Sequence, residues 1–198
     1  MSDLDHWDHL DHVDRAGDRL HFVGVAGTGM SALAQYLAWG PGTISGSDRA
    51  LDRGDPAAPR AQLARAGIAL HPQDGSAVAG AAAVVASTAV ESTIPDLQAA
   101  RAADIPVIHR AELLAGLLRA EGSIAVAGTS GTPTVLATTF ETLAGLGHAP
   151  GLITGGPLRS LAEGGFLGNA ARGRGPLIAA ADESDGSLVQ HAPEIGVL

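Results

Sequence analysis

Residues 20–31 read Leu20-His21-Phe22-Val23-Gly24-Val25-Ala26-Gly27-Thr28-Gly29-Met30-Ser31. A short apolar run passes through three glycines into a segment where Leu33, Tyr36 and Leu37 recur at helical spacing. A strand that turns through glycines into a helix is the anion-binding unit of open α/β sheets. The glycines let backbone N–H groups approach a phosphate, and the helix dipole favours its charge. The spacing here is G-x-x-G-x-G, with Ala26 where the dinucleotide fingerprint G-x-G-x-x-G needs its second glycine. Gly27, Thr28, Gly29, Met30 and Ser31 are therefore candidate ligand contacts, with no ligand named by spacing alone. The bland alternative is a tight turn that needs glycine only for packing. A second strand at 43–46 runs into Ser47-Asp48, where an acid can take a ribose hydroxyl.

Working outward, the same alternation continues. Residues 59–66 suit a helix, 81–86 a buried strand, 95–103 a helix, 105–108 a strand and 111–119 a helix. This βαβα rhythm implies a Rossmann-like α/β domain over residues 19–121, with helices on both faces of a parallel sheet. Glu121-Gly122 marks a joint, and the programme restarts with a strand at 123–127 and a helix at 133–146. Residues 151–177 are rich in Gly and Pro and read mostly as loop. Strands are expected at 177–181 and 194–198, flanking Asp182-Glu183-Ser184-Asp185. Residues 122–198 thus read as a truncated P-loop-type α/β domain, with two or three strands and an uncovered face.

The turn into the second helix is Gly128-Thr129-Ser130-Gly131-Thr132-Pro133-Thr134, where a P-loop belongs. A working P-loop ends in Gly-Lys-Ser/Thr, the lysine reaching the β/γ-phosphates and the hydroxyl holding Mg²⁺. Thr132 stands at the lysine position and Pro133 at the hydroxyl position. Proline also lacks the N–H that would face phosphate, although it suits the first turn of a helix. All 12 basic residues of the 198-residue chain are arginine, so no lysine elsewhere can substitute.

A net charge of −9 argues against nucleic acid as a partner, and no apolar run is long enough to cross a bilayer. Cysteine is absent, which excludes disulfides, thiolate metal sites and a Cys nucleophile. A cytoplasmic protein is the expectation. Residues 1–18 form an acidic arm in which Asp-His recurs every three residues, at His6, His9 and His12. Alternating His and Asp invites a metal reading, against that of a solvated near-terminal segment.

Taken in order, seven segments resemble the Mur ligases. They are residues 21–31, Ser45-Gly46-Ser47-Asp48, residues 84–90, residues 105–112, residues 125–131, Ile153-Thr154-Gly155-Gly156 and residues 181–187. The resemblance implies an ATP-dependent, three-domain ligase of peptidoglycan precursor synthesis. Such a ligase activates the carboxylate of UDP-N-acetylmuramate as an acyl phosphate, which an amino acid's amine then attacks. Carried over by motif, residues 27–31 would hold the diphosphate, Asp48 would lie near the UDP, and Ser87, Thr88, His109 and Arg110 would line the same pocket. ATP and Mg²⁺ are the implied cofactors. The lysine and hydroxyl positions are lost at Thr132 and Pro133, and the metal-binding Glu expected before Ala181 is Ala180. These departures predict a disabled ATP site beside an intact UDP-sugar site, with a C-terminal domain or partner chain missing. A NAD-dependent oxidoreductase of Rossmann type and a non-catalytic interaction protein are the competing readings.

Overall fold

A computed structural model describes residues 17–55, 57–120, 122–181 and 191–198. The Asp/His repeat up to His12 and the Asp182-Glu183-Ser184-Asp185 motif lie outside the described residues. Five strands build the first sheet: β1 (Arg19–Val23), β2 (Thr43–Ser47), β3 (Ala69–His71), β4 (Ala83–Ala86) and β5 (Val107–His109). Their order is β3-β2-β1-β4-β5, parallel throughout, with Leu20 paired to Ile44 on one side and Ala83 on the other. The crossovers carry α1 (Thr28–Ala38), α2 (Arg49–Asp52), α3 (Arg60–Arg65) and α4 (Pro95–Ala102), and α5 (Arg110–Leu117) follows the last strand. This is the α/β architecture that the alternation implies. The strand at β3 and the one-turn helix α2 are additional to the sequence reading.

The second half holds β6 (Ile124–Val126), α6 (Thr132–Gly145), β7 (Gly151–Ile153), α7 (Arg159–Ala162), β8 (Ala170–Ala171), β9 (Leu177–Ala180) and β10 (Ile195–Val197). Its order is β10-β6-β9-β7-β8, with only the β7–β8 pair antiparallel. The expectation of two or three strands is corrected to five among the described residues, because the 151–177 stretch supplies β7 and β8 instead of plain loop. Those strands are three and two residues long, too short for a periodicity to register.

What joins the halves is α1. From Met30 to Leu37 every residue of this helix is buried. An amphipathic helix on one sheet would bury only a stripe. Here the same apolar cluster takes in Leu20, Phe22 and Val85 of the first sheet and Ala125, Ile153, Leu177 and Ala179 of the second. Helix α1 is therefore the middle layer of a sheet–helix–sheet sandwich. The Arg172 guanidinium lies 4.8 Å from the Tyr36 ring centre, and Trp39 meets Phe166 edge to face at 5.7 Å.

Candidate functional site

Parallel strands bring their carboxyl ends to one edge, so the turn after β1 sits where open α/β sheets bind ligands. Gly24 makes that turn at φ +78°, a region costly for any residue with a Cβ. The turn then uses up its own first donors. Gly24 and Val25 N–H donate to Ser47 O at 2.9 and 3.1 Å, Ala26 N–H to Asp48 Oδ2 at 3.0 Å, and Gly27 N–H to Gly24 O at 3.1 Å. Helix α1 closes its first bond from Ser31 N–H to Gly27 O at 2.7 Å. Among the described residues, the N–H groups of Thr28, Gly29 and Met30 remain as first-turn donors without an internal acceptor.

These residues form one wall of a cleft of about 490 Å³. Ser87 and Thr88, after β4, and Arg110, at the start of α5, line it as well. A Cβ on Gly29 would come within 2.9 Å of Arg110 Nη1, so a glycine there lets the guanidinium lie against the loop. The opposite wall comes from the second sheet: Gly128 and Thr132 of the second glycine loop, Thr154, Gly155 and Ala180. Two loops about a hundred residues apart thus open on one cavity.

Three of the expected contacts also make bonds within the fold and do not line this cleft. Asp48 caps α2 by accepting from Ala50 N–H at 2.8 Å while its second oxygen holds Ala26 N–H. It lines an adjoining cavity of about 450 Å³ with Arg49, Arg53 and Gln73. Ser31 is buried beneath the loop, its hydroxyl donating to Thr28 O at 2.9 Å. His109 caps α5: its Nδ1 accepts from Ala111 N–H, and Glu112 reaches back to His109 N–H, each at 3.3 Å.

In the second loop, Gly131 turns through the left-handed region at φ +83° and α6 starts at Thr132. The Thr132 hydroxyl donates to Gly128 O at 2.9 Å, closing the loop on itself at the position where a P-loop extends a lysine. Thr129, Ser130, Gly131, Pro133 and Thr134 are exposed and stand outside the cleft lining. Thr154 and Gly155, conspicuous in sequence only as part of a motif, prove to be wall residues. Asn169 is a contact that no sequence pattern announced: it reaches under the first loop from the edge of β8.

Beneath the first loop lies a sealed polar cluster. His21 Nδ1 meets Ser45 Oγ at 3.0 Å and its Nε2 meets Asp96 Oδ2 at 3.4 Å, with His21 and Asp96 both fully buried. Ser47 Oγ donates to the same Asp96 oxygen, and Gly75 N–H donates to the other at 2.6 Å. Burial pushes the Asp96 carboxyl upward. The bonds from His21, Ser47 and Gly75 outweigh that push and leave it below the ordinary carboxylate value. Ser47 also carries the carbonyl that anchors Gly24 and Val25, so the cluster supports the loop from below.

Residues 19–121 match the model of the Mur ligase family, catalytic domain. A UDP-N-acetylmuramate–L-alanine ligase of Leptothrix cholodnii is 42% identical over 90% of this chain and 36% of its own length. The corresponding ligase of a Cyanothece species is 39% identical over 96% of this chain and 38% of its own. The chain thus spans well under half the length of these curated relatives. Among solved structures, the UDP-N-acetylmuramate–alanine ligase of Thermotoga maritima aligns with a TM-score of 0.77 at 28% identity, covering 88% of this chain and 39% of that one. No helix among the described residues is long and apolar enough to cross a membrane.

Proposed function

From the premise that the chain belongs to the Mur ligase family, we propose that it binds UDP-N-acetylmuramate in the cleft between its two sheets and does not turn over ATP. The observation that carries this reading is the first turn of α1. Three N–H groups with no acceptor among the described residues, at Thr28, Gly29 and Met30, stand beside Arg110 on the wall of a cavity large enough for a sugar diphosphate. The diphosphate sits on those donors and the guanidinium. The uridine enters the adjoining cavity past Asp48, Arg49 and Gln73, and the muramoyl end lies toward Thr154 and Thr132. The relatives are named as ligases of UDP-N-acetylmuramate and L-alanine. None of those named here is a dinucleotide oxidoreductase. Cytoplasmic peptidoglycan precursor synthesis is the setting this reading implies.

ATP and Mg²⁺ do not fit the residues present. Thr132 offers no ammonium group and spends its hydroxyl on Gly128 O. Pro133 has neither hydroxyl nor N–H, and Ala180 brings a methyl group to the cleft where a metal ligand is expected. Phosphoryl transfer depends almost wholly on positioning and charge neutralisation, so no ligation step is assigned to this chain. Calorimetric titration with UDP-N-acetylmuramate, Mg-ATP and NAD tests the reading. Saturable binding of the first alone is expected; binding of NAD in its place, or of Mg-ATP at micromolar concentration, overturns it.

A further inference from the structure

We propose that Asn169 is a positioning residue for the diphosphate-binding turn, so that the second sheet serves the sugar-nucleotide site by holding it in shape. The inference rests on the function proposed above. Asn169 immediately precedes β8 and is 4% exposed. Its Nδ2 donates to Thr28 O and to Ser31 Oγ, each at 3.0 Å, across 141 and 138 residues of chain. Its Oδ1 accepts from Gln35 Nε2 at 2.7 Å, and Gln35 also donates to Ser31 O at 3.0 Å. Reversing the amide would set its oxygen against Thr28 O, acceptor to acceptor, so these neighbours fix its orientation. The backbone of the same residue faces the other way: Asn169 O accepts from Thr154 N–H at 3.0 Å. One residue therefore ties both walls of the cleft together, Thr28 through its side chain and Thr154 through its main chain.

The chemistry of this clip points to position rather than adhesion. The halves already adhere through the apolar cluster around α1. An apolar pair at 35 and 169 would add to that contact without desolvating two amides. Instead Gln35 Oε1 is buried with no donor among the described residues, a cost that contact energy alone does not explain. What two directional bonds supply is a fixed carbonyl at Thr28 and a fixed Ser31, and hence a fixed aim for the three N–H groups that the first turn offers. Preorganised donors bind an anion more tightly than donors that must first be ordered. The second sheet, which has lost its phosphate-binding residues, retains this task.

The test titrates the full chain and its variants with UDP. Asn169→Leu keeps the approximate volume and removes both donor bonds. Arg172→Ala weakens the same interface away from the loop, where Arg172 Nη1 donates to Tyr36 O at 3.1 Å. Asn169→Leu is expected to bind UDP about tenfold more weakly, while Arg172→Ala binds as the unmodified chain does. Unchanged affinity in Asn169→Leu, or an equal loss in both variants, overturns the proposal while leaving the UDP-sugar reading standing. Failure of the unmodified chain to bind UDP overturns that reading, and this proposal with it. Should Asn169→Leu not fold, the unmodified chain decides. The Asn169 side-chain amide resonances are expected to shift with UDP and saturate with its binding curve, and resonances that stay fixed refute the coupling.

Discussion

Replacing Gly27 with valine separates ligand binding from folding at the centre of the candidate site. Gly27 precedes α1 at φ −63° and ψ 144°, a conformation that suits valine. A Cβ there would meet only Gly24 O, at 3.4 Å, so the fold has room for the side chain. The stability cost is that of a poorer helix cap, about 1 kcal/mol, or a fall of ~2–4 °C in Tm for a chain of this size. Binding should suffer far more. The new methyl groups stand on the cleft wall beside the N–H groups of Thr28, Gly29 and Met30. A diphosphate kept from two of those donors loses two charge-assisted hydrogen bonds at about 1.5–3 kcal/mol each. That sums to roughly 3–6 kcal/mol, or between ~10² and ~10⁴ in Kd. Thermal unfolding and calorimetric titration with UDP-N-acetylmuramate, run on the same preparation, give both numbers. An unfolded variant would refute the geometry of the turn. A folded variant with unchanged Kd would refute the placement of the diphosphate.

Three further outcomes follow from the packing and the charges. Thr132→Lys, Pro133→Thr and Ala180→Glu together should confer Mg-ATP binding detectable by calorimetry, whereas the unmodified chain shows none at millimolar nucleotide; micromolar affinity without the changes would contradict the disabled-site reading. Because the folded state holds the Asp96 carboxyl below its ordinary pKa, its ionised form stabilises the fold above about pH 4, and that contribution fades as pH falls through the lowered value. Asp96→Asn should cost about 2–3 kcal/mol at neutral pH and flatten the acid limb of the stability curve; parallel curves for the two proteins would contradict this. With α1 shared between the sheets, heat should unfold both in one transition, so that amides of β1 and β9 exchange with one common opening free energy while those of the exposed edge strand β10 open more easily. Two separated calorimetric peaks would show that the shared core does not couple them.

The alternation of apolar runs and helical patterns carried four of the five strands of the first sheet, because β1, β2, β4 and β5 alternate with helices long enough to register. It failed where elements are shortest. Ala69-Leu70-His71 forms β3 on three residues, only one of them apolar by more than a methyl group. The glycines of the 151–177 stretch signal loop, yet Gly173 and Gly175 are packing requirements: a Cβ on either would run into the carbonyls of Ala149 and His148. At the site, the two glycine loops were legible one by one, since a strand–glycine–helix turn has a local signature. Their meeting in one cleft was not, because it depends on how α1 packs between sheets. Asp48 and His109 show the opposite limit. An acid after β2 and a histidine after β5 look like ligand contacts, and both side chains also cap helices here, a second task that the sequence pattern does not separate from the first. Asn169 carries no pattern at all, since an amide that reaches across the fold repeats nothing nearby.

The double burial of α1 bears on how this chain can be dissected. A fragment ending near residue 121 would carry every residue that the family model matches. It would also uncover the helix face that Ala170, Leu177 and Ala179 now cover, and strand the Ser31 and Gln35 side chains without Asn169. That bared surface is a greasy trench with polar groups at its floor, much like a small-molecule pocket. Inhibitor discovery run on the excised piece would collect compounds for a trench that the longer chain fills with its own second sheet. Hits from such a campaign should vanish when residues 122–198 are restored.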